Sequence, residues 1–526
     1  MKVLVSDALG DIGVQMFAET EGIDVDVNTG LSPDELKAII ADYDALVIRS
    51  ATKVTADLLE AAAKLKVVGR AGIGLDNVDI PAATKKGVVV MNTPEGNVIT
   101  TAEHAIAMML ALSRNIPTGT ATMKDGLWEK KRLQGREIFN KVLGVIGFGK
   151  IGSVVADRGR GLKMKVIVHD PIVTPEQIES SGFESVSLED LYRRADYISV
   201  HVPKMESTLN LLNKQAFEMM KDGAMIVNCA RGGIVNEQDL YDAMVGGKIA
   251  GAALDVFASE PPGEHQLFEL DAVICTPHLG ASTREAQTNV AVAVAQQIIA
   301  YLQSGEIVNA VNVPSVTGEL LKKIGPLLTL GERMGALQAQ LTTGPVKEVV
   351  ISYDGDFRKL DLAPVSTAIM KGLMTPMVKE AVNFVNALEL AKEMGIKVTE
   401  TSTPDSEDYV NLLRVTVHGT DMTNVIGGTI FGKKDPRVVN INDFRLELLP
   451  QGHMALIYNI DRPGSIGEIG TTLGRHKINI ARMQVGQDET GAHNIIFMQT
   501  DTPIDAGALA ELKDLDSVKS VQLLQF

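Results

Sequence analysis

Short hydrophobic runs alternate with longer helical patterns through the first 300 residues of the chain. Runs rich in β-branched residues predict strands at residues 2–6, 45–49, 67–70 and 88–92, with helices at 33–42 and 55–64. Parallel strands joined by helices are covered on both faces, so this alternation predicts a doubly wound parallel sheet. Two long, largely apolar helices are predicted at 101–115, capped by Thr100 or Thr101, and at 285–303.

A second α/β series begins near residue 140 and has its own glycine loop. Its predicted strands are 142–146, 166–169, 197–200, 225–228, 251–255 and 273–276. A series that starts afresh predicts a second doubly wound domain. Because the two long helices bracket this series, we predict that residues 99–284 form a domain inserted into another one, which is built from residues 1–98 and 285–315.

The pattern changes from residue 316 onwards. Helices at 318–338 and 375–394, strands at 346–352 and 409–417 and a turn at 433–436 predict an α+β domain over residues 316–450. Residues 452–526 then show the β-α-β-β-α-β order of a ferredoxin-like domain. The predicted fold class is therefore α/β, with two doubly wound domains followed by an α+β domain and a ferredoxin-like domain.

The composition is that of a folded protein with an acidic surface. Of the 526 residues 45% are hydrophobic and 22% are charged, and the net charge is −16. A surface of this sign repels phosphate backbones, which argues against a nucleic-acid partner. Only Cys229 and Cys275 are cysteines, and no apolar run approaches 18 residues, so we expect a cytoplasmic location and no membrane partner.

A glycine loop opens the second series. In the pattern G-x-G-x-x-G, Gly147 permits a tight turn, Gly149 lets the backbone approach a pyrophosphate and Gly152 allows close packing of helix on strand. Asp170 ends the next strand, where a carboxylate binds ribose hydroxyls, and this favours NAD over NADP. The sequence therefore predicts an NAD site. The alternatives are a plain tight turn and a capping role for Asp170.

Arg231, Glu260 and His278 each follow a strand of the second series. Because the carboxyl ends of parallel strands meet at one edge of a sheet, we expect these side chains to face one cleft. A guanidinium binds a carboxylate and polarises an adjacent oxygen, an imidazole takes a hydroxyl proton, and a carboxylate fixes the imidazole tautomer. The set predicts oxidation of a 2-hydroxy acid, although each residue taken singly also fits an ordinary loop role. No metal site is predicted.

Residues 1–315 resemble the D-isomer-specific 2-hydroxyacid dehydrogenases. The resemblance lies in the glycine loop with Asp170 and in the segments 229–233, 254–261 and 276–280. It implies that Arg231, Glu260 and His278 are catalytic. The NAD contacts that it implies are Gly147, Gly149, Lys150, Ile151, Gly152, Asp170, Cys229, Ala230, Arg231, Asp255, His278 and Gly280. One departure is Met205, which stands where the family has a small or hydroxylic residue, although Ser207 and Thr208 are close.

The loops of the first series supply the predicted substrate site. Gly72 and Gly74 expose backbone amides that bind a carboxylate, and Arg49 and Arg70 follow strands that face the same cleft. The complete predicted set is Arg49, Ser50, Arg70, Gly72, Gly74 and Asn97. These segments resemble the 3-phosphoglycerate dehydrogenases of the family, in which cationic side chains of these loops bind the phosphate. Ordinary loop charge is the alternative.

Two further basic segments are open to more than one interpretation. The cluster at residues 128–132 either completes the phosphate site from a neighbouring subunit or lies on a solvated helix face. Residues 316–450 resemble the intervening domain of the longest phosphoglycerate dehydrogenases. Its basic side chains form either a second anion site or ordinary surface charge, and they are Lys433, Lys434, Arg437 and Arg445.

The last 75 residues resemble the ACT domain, a small-molecule sensor that commonly pairs edge to edge. A turn at residues 461–464 leaves backbone amides and the Asp461 carboxylate free to bind an amino acid, although a plain turn is the alternative. In serine-regulated members the ligand contacts fall at Asn459, Asp461 and Asn479. The resemblance therefore implies feedback inhibition by L-serine.

The predicted function is oxidation of 3-phospho-D-glycerate to 3-phosphooxypyruvate with NAD, the first step of L-serine biosynthesis, by a homotetramer. One alternative is another D-2-hydroxyacid dehydrogenase, of the glyoxylate or hydroxypyruvate reductase type, that carries a sensor domain. The other is a corepressor-like protein that binds NAD without catalysis. The complete set of Arg231, Glu260 and His278 argues against the latter.

Overall fold

The computed structural model describes residues 1–357, 360–405, 409–420, 422–432, 434–487 and 493–526. The strands of this part of the chain form four β-sheets, each covered by helices on at least one face. Across the same described residues, the longest apolar helices fall short of what a membrane crossing requires.

The first sheet is parallel and has the flavodoxin-like strand order β2-β1-β3-β4-β5. Its strands are β1 (Lys2–Val5), β2 (Asp24–Val27), β3 (Ala45–Ile48), β4 (Val67–Arg70) and β5 (Val89–Asn92). The connecting helices are α1 (Asp11–Ala18), α2 (Pro33–Ile39), α3 (Ala56–Ala61) and α4 (Ile80–Lys85). Ser32, Thr55 and Asp79 cap three of these helices through side-chain oxygens, which explains where each helix begins.

The chain then leaves this sheet through α5 (Val98–Ser113) and α6 (Ile116–Lys124) and enters a second parallel sheet. The second sheet has the order β12-β11-β10-β9-β6-β7-β8, which is the Rossmann order with one added strand. Its strands are β6 (Val142–Ile146), β7 (Lys165–His169), β8 (Glu184–Ser185), β9 (Tyr197–Val200), β10 (Ala224–Asn228), β11 (Ile249–Leu254) and β12 (Val273–Cys275). Its helices are α7 (Lys150–Gly161), α8 (Pro175–Ser180), α9 (Leu188–Arg194), α10 (Lys214–Met219) and α11 (Glu237–Val245).

The long helix α12 (Arg284–Ser304) returns the chain to the first sheet. Val294 and Ile298 of this helix lie in the same hydrophobic core as Val3 and Val67 of the first sheet. The approach is close because β4 carries Gly69 at the crossing point, where a Cβ would lie 2.5 Å from the Ile298 side chain. The Rossmann sheet is therefore inserted in the flavodoxin-like one, and this part of the predicted fold class is confirmed.

The middle segment forms a six-stranded sheet in the order β14-β13-β15-β16-β17-β18. Its strands are β13 (Val346–Gly355), β14 (Lys397–Thr403), β15 (Asn411–Gly419), β16 (Thr423–Phe431), β17 (Asp435–Ile441) and β18 (Phe444–Leu448). Its helices are α13 (Gly318–Leu341), α14 (Ala363–Met374) and α15 (Ala387–Glu393). All pairs in this sheet are antiparallel except β13 with β14, so the predicted α+β character is confirmed.

The last sheet has four antiparallel strands in the order β20-β21-β19-β22. Its elements are β19 (His453–Ile460), α16 (Ser465–Arg475), β20 (Ile480–Gln487), β21 (His493–Thr500), α17 (Ala506–Lys513) and β22 (Val518–Gln525). This is the predicted ferredoxin-like order. Leu456 and Phe497 of this sheet share one hydrophobic core with Leu330, Val415 and other residues of the middle segment, so the two C-terminal sheets are packed together.

Two predicted helix positions are wrong. Helix α5 begins at Val98 after Asn97, so neither Thr100 nor Thr101 is its cap. The predicted helix 375–394 is an irregular segment followed by the short helix α15. There the Asn383 side chain accepts hydrogen bonds from the backbone N–H groups of Val385 and Asn386, which competes with helical hydrogen bonding.

Candidate active site

Arg231, Glu260 and His278 lie beyond the carboxyl ends of three neighbouring strands, β10, β11 and β12. All three line one cleft of about 690 Å³ between the two parallel-sheet domains. The closest contact within the set joins His278 Nδ1 to Glu260 Oε2 at 2.7 Å. The other carboxylate oxygen of Glu260 accepts a hydrogen bond from the backbone N–H of Phe257 at 3.1 Å, which fixes its orientation.

The loop that carries His278 is held by Asp255. The Asp255 carboxylate is fully buried and accepts hydrogen bonds from Thr276 Oγ1 and from the backbone N–H groups of Leu279 and Gly280 at 2.5–2.8 Å. Burial raises the pKa of this carboxyl, but hydrogen bonds from His104, Thr276 and the two amides outweigh it and lower the pKa overall. Asp255 therefore stays ionised and shapes the loop from behind the cleft wall, whereas the sequence interpretation made it a direct NAD contact.

Arg231 reaches across the cleft towards the first sheet. Its Nε donates to Asp76 Oδ2 at 2.8 Å, and its Nη1 donates to the carbonyl of Ala230 at 2.7 Å. Gly74 makes room for this guanidinium, because a Cβ at Gly74 would lie 1.6 Å from Nη2. Asp76 is not among the predicted site residues, although it lies two residues after Gly74, because a contact with Arg231 of another domain leaves no pattern in the sequence.

The predicted substrate residues all line the same cleft, and they are Arg49, Ser50, Arg70, Gly72, Gly74 and Asn97. Arg49 is oriented by its backbone N–H, which donates to Asp7 Oδ2 at 2.6 Å, and by its Nη1, which donates to the carbonyl of Ala8 at 3.3 Å. Burial, helped by repulsion from Arg231 and Arg49, lowers the pKa of Arg70 to about 10. The cleft is therefore strongly electropositive at its substrate end.

The glycine loop fits a bound dinucleotide. Gly147 has φ +94°, and a Cβ there would lie 2.5 Å from the carbonyl oxygen of His201. At Gly152 a Cβ would lie 1.9 Å from the carbonyl oxygen of Gly147, whereas Gly149 faces open space. Helix α7 begins after Gly149 without a side-chain cap, so its first amides face the cleft and are free to bind a pyrophosphate.

Asp170 stands at the end of β7, beside the glycine loop. Its carboxylate accepts hydrogen bonds from the backbone N–H groups of Phe148, Ile172 and Val173 at 2.7–2.8 Å. Burial raises the pKa of this carboxyl, but the three amides lower it overall. The geometry accommodates both interpretations of the sequence, because the carboxylate caps the local turn and also stands where ribose hydroxyls would lie.

The predicted cofactor residues divide into two groups. Those that line the cleft are Gly149, Lys150, Ile151, Cys229, Ala230, Arg231, His278 and Gly280. Gly147, Gly152 and Asp255 support the wall of the cleft, and Asp170 stands beside the glycine loop at the end of β7. In the loop of the Met205 departure, the residues that line the cleft are His201, Val202, Pro203 and Lys204. Sequence reasoning missed His201, whose pKa burial lowers to about 4.

One group with metal-ligating atoms stands behind the cleft in the described part of the chain. His104, Cys229 and Asp255 bring one such atom each to within 4.8 Å of the others. Hydrogen bonding explains this proximity, because His104 Nε2 lies 3.2 Å from Asp255 Oδ1 and 3.1 Å from Thr276 Oγ1. Burial raises the pKa of the Cys229 thiol, so the sulfur is protonated.

The predicted effector residues do not converge within one chain. Asn459 lies near the end of β19 with 2% of its surface exposed, and it pairs with Asn494 of β21. Asn479 precedes β20, whose first residue pairs with Thr500 at the opposite end of β21. This separation along β21 amounts to about 20 Å at ~3.3 Å per residue. Asp461 follows β19 and is exposed.

The basic segments are distributed over the surface. Residues 128–132 are not helical, which corrects the helix-face alternative, and Arg132 forms ion pairs with Glu129 and Asp271. In the middle segment, Arg437 pairs with Asp435 at 2.6 Å, while Arg445 lines an open groove on the sheet face. Lys434 is exposed, and Lys433 lies outside the described residues.

Comparisons with known proteins cover the whole chain. Family models match in three places: the D-isomer specific 2-hydroxyacid dehydrogenase, NAD binding domain (residues 106–280), the D-3-phosphoglycerate dehydrogenase intervening domain (323–442) and the ACT domain (453–517). The D-3-phosphoglycerate dehydrogenase of Synechocystis sp. is 42% identical over 98% of this chain and 93% of that protein. The D-3-phosphoglycerate dehydrogenase of Methanocaldococcus jannaschii is 41% identical over 100% of this chain and 99% of that protein.

Among solved structures, the catalytic part of the chain is similar to the D-lactate dehydrogenase of Aquifex aeolicus in complex with NAD and lactic acid. The TM-score is 0.54 at 27% sequence identity, and the match covers 60% of this chain and 100% of that one. Together with the NAD-binding family model and the open N-terminus of α7, this similarity identifies NAD as the cofactor of the cleft.

Proposed function

Because this chain belongs to the D-3-phosphoglycerate dehydrogenases, within the D-isomer-specific 2-hydroxyacid dehydrogenase family, we propose that it oxidises 3-phospho-D-glycerate to 3-phosphooxypyruvate with NAD. This reaction is the first step of L-serine biosynthesis. The relatives that carry this name match the chain from end to end, including the two C-terminal domains. The glyoxylate or hydroxypyruvate reductase interpretation is therefore the weaker one.

The observation that carries the proposal is the convergence of Arg49, Arg70 and Arg231 on one cleft. Their mutual repulsion, added to burial, is what lowers the pKa of Arg70 to about 10. A ligand with two anionic groups relieves this repulsion. In 3-phosphoglycerate the carboxylate and the phosphate are joined by two carbons, so one molecule supplies negative charge to several guanidinium groups.

His278 and Glu260 transfer and stabilise the proton, and Arg231 binds the substrate. Because His278 Nδ1–H donates to Glu260, the neutral ring presents Nε2 as an acceptor for the C2 hydroxyl proton. The Glu260 carboxylate stabilises the imidazolium that this transfer produces. Arg231 binds the substrate carboxylate and polarises the C2 oxygen as its carbonyl character develops.

NAD, when bound, would supply the acceptor for the hydride of C2. The first amides of α7 would hold its pyrophosphate, and Asp170 would hold its ribose hydroxyls. Lys150, Ile151, Cys229, Ala230 and Gly280 line the path between these groups and the catalytic residues, and they exclude water from it.

The domain limits follow the same assignment. We assign residues 1–98 and 285–315 to the substrate-binding domain and residues 99–284 to the NAD-binding domain. Residues 316–450 form the intervening domain, and residues 452–526 form the ACT domain. The packing of α12 on the first sheet supports the two-part substrate-binding domain.

The ACT domain binds L-serine between two chains. Asn459 and Asn479 lie at opposite ends of β21, so one chain alone cannot place both against one small ligand. Edge-to-edge pairing of two ACT domains brings Asn479 of one chain towards Asn459 and Asp461 of the other. A homotetramer provides this pairing in addition to a dimer through the NAD-binding domain, and the two free cysteines support a cytoplasmic location.

The proposal is tested with matched substrates. The wild-type protein should oxidise 3-phospho-D-glycerate with NAD and should oxidise D-glycerate poorly, whereas Arg49→Ala should lower kcat/KM only for the phosphorylated substrate, by about tenfold or more. Equal rates with the two hydroxy acids would instead favour the unphosphorylated reductase type. NADH binding without turnover of either acid would revive the corepressor-like interpretation.

A further inference from the structure

Asp76 lies between guanidinium groups that come from two domains. It belongs to the loop after β4, and its Oδ2 accepts the hydrogen bond from Arg231 Nε, which arrives from the end of β10. Arg70, at the end of β4, also interacts favourably with the Asp76 carboxylate. Among the described residues that line the cleft, the acidic side chains are Asp76 and Glu260.

Asp76 and two neighbouring groups fix the plane of the Arg231 guanidinium. Asp76 accepts from Nε, the carbonyl of Ala230 accepts from Nη1, and Gly74 leaves the space that Nη2 occupies. In the part of the chain that the structure describes, Nη2 donates to no protein acceptor and faces the cleft. A guanidinium held in this way keeps donors available for a planar carboxylate without losing rotamer entropy when the substrate binds.

We propose that Asp76 is a positioning residue for the reaction, which acts across the cleft by orienting Arg231 towards the carboxylate and the C2 oxygen of the substrate. The assignment rests on the proposed function, because it takes Arg231 as the residue that binds the reacting end of a 2-hydroxy acid. It adds a residue from the substrate-binding domain to a catalytic set that otherwise comes entirely from the NAD-binding domain.

A second ion pair across the cleft provides the matched control. Lys150 Nζ lies 3.1 Å from Glu95 Oε1, but the Glu95 side chain is 83% exposed, so this pair contributes little. Glu95 makes no contact with Arg231. Asp76→Asn and Glu95→Gln each remove the carboxylate of one ion pair between the two domains. Only Asp76→Asn removes the partner of Arg231.

Steady-state kinetics separate the two variants. Asp76→Asn should lower kcat/KM for 3-phosphoglycerate by about tenfold or more, because the hydrogen bond between two charged groups is replaced by a weaker one to a neutral amide. NADH affinity should stay within about twofold of the wild type, and Glu95→Gln should behave like the wild type. Unchanged kcat/KM in Asp76→Asn would overturn the proposal, as would an equal loss in both variants.

The Arg231→Ala background distinguishes positioning from general stabilisation. If Asp76 acts through Arg231, then Asp76→Asn in that background should leave the residual kcat/KM unchanged or raise it, because the unpaired carboxylate now repels an anionic substrate. A loss of the same size in both backgrounds would show that Asp76 acts independently of Arg231.

Oxalate, a planar dicarboxylate that is not oxidised, keeps this test separate from the proposed function. Binding of oxalate to the NADH complex, followed by NADH fluorescence, should weaken by about tenfold or more in Asp76→Asn but not in Glu95→Gln. Unchanged oxalate affinity would contradict the role of Asp76 even if 3-phosphoglycerate is oxidised. Weakened oxalate binding without any oxidation of 3-phosphoglycerate would keep that role and overturn the proposed function.

Discussion

His278 and Glu260 form the hydrogen bond on which the proposed proton transfer depends. The 2.7 Å contact sets which ring nitrogen carries the proton in the neutral state, and thereby which nitrogen faces the substrate. Two carboxylates orient His278, one directly and one through the loop that carries it. Glu260 contacts the ring directly, whereas the buried Asp255 holds the backbone on either side of it through Thr276 and Leu279.

Glu260→Gln should lower kcat by about a hundredfold, because the amide neither enforces the Nδ1–H tautomer nor stabilises the imidazolium. NADH affinity should remain within about twofold, since Glu260 is not part of the predicted cofactor site. His418→Gln is a control for histidine chemistry outside the cleft, as His418 is partly exposed, lies on β15 of the middle segment and forms a side-chain hydrogen bond with Thr423. A Glu260→Gln enzyme with wild-type kcat would contradict the assigned role.

His201 predicts a dependence of stability on pH. Burial lowers its pKa from 6.5 to about 4, so between these values the unfolded chain binds a proton that the folded chain does not. The stabilisation from neutral His201 is therefore present above pH 6.5 and is lost as the pH falls to 4, by about 3 kcal/mol in total. Denaturant titrations at several pH values should show a shallower decline for His201→Gln, and equal slopes for variant and wild type would refute this.

Most strands of the two parallel sheets could be predicted from the sequence pattern. Strands β4, β6 and β9 begin and end where the hydrophobic runs predict, because buried parallel strands are continuous apolar runs. The strands β2 and β14 were missed because they are edge strands with mostly exposed side chains, in which the apolar run is broken. The convergence of Arg231, Glu260 and His278 on one cleft could be predicted because glycines and prolines mark the strand ends around them.

Contacts between domains could not be predicted in this way. Val378, Val382 and Val385 repeat at helical spacing, which explains why a helix was expected there. In the structure residues 383–385 are not helical. We call them the plug, because they pack against the first sheet. Val385 has only 6% of its surface exposed and lies in the core of the substrate-binding domain, and Asn383 Nδ2 donates to the carbonyl of Gly87 at 2.8 Å.

Val385→Ala should weaken this attachment by about 2 kcal/mol, the cost of deleting buried methyl groups. Amide hydrogen exchange in residues 383–387 and around Gly87 should then become about thirtyfold faster if the segment opens locally. Val410→Ala removes the same atoms from a side chain that is 83% exposed, and it should leave exchange unchanged. Equal protection in the Val385→Ala and Val410→Ala proteins would show that the plug does not hold the two domains together.

At the scale of the whole molecule, the ACT domain is connected to the cleft through packed structure. The ACT and middle sheets share one core, and the plug of the middle domain contacts the start of β5 and α12. The strand β4 runs beside β5 from this buried end to Arg70 in the cleft. A change in how two ACT domains pair therefore has a continuous path of packed residues to the substrate site.

The proposed sharing of the L-serine site between two chains predicts complementation. Asn459→Ala and Asn479→Ala should each abolish inhibition by L-serine, because each variant damages every site in its own homo-oligomer. Hybrid oligomers of the two variants contain some sites with both asparagines intact, so mixing after reversible dissociation should restore part of the inhibition. Hybrids that stay as insensitive as the parents would place all effector contacts within one chain.

We propose that hydride passes directly from C2 of 3-phospho-D-glycerate to NAD in the cleft of Arg231, Glu260 and His278. An isotope experiment tests this transfer: the substrate carries deuterium at C2, NAD is supplied at alkaline pH with a trap for the keto product, and the mass of the NADH formed is measured. We expect NADH that carries one deuterium, from the D isomer only. Undeuterated NADH, or a protein that binds NADH but forms none from this substrate, would refute direct transfer in this cleft.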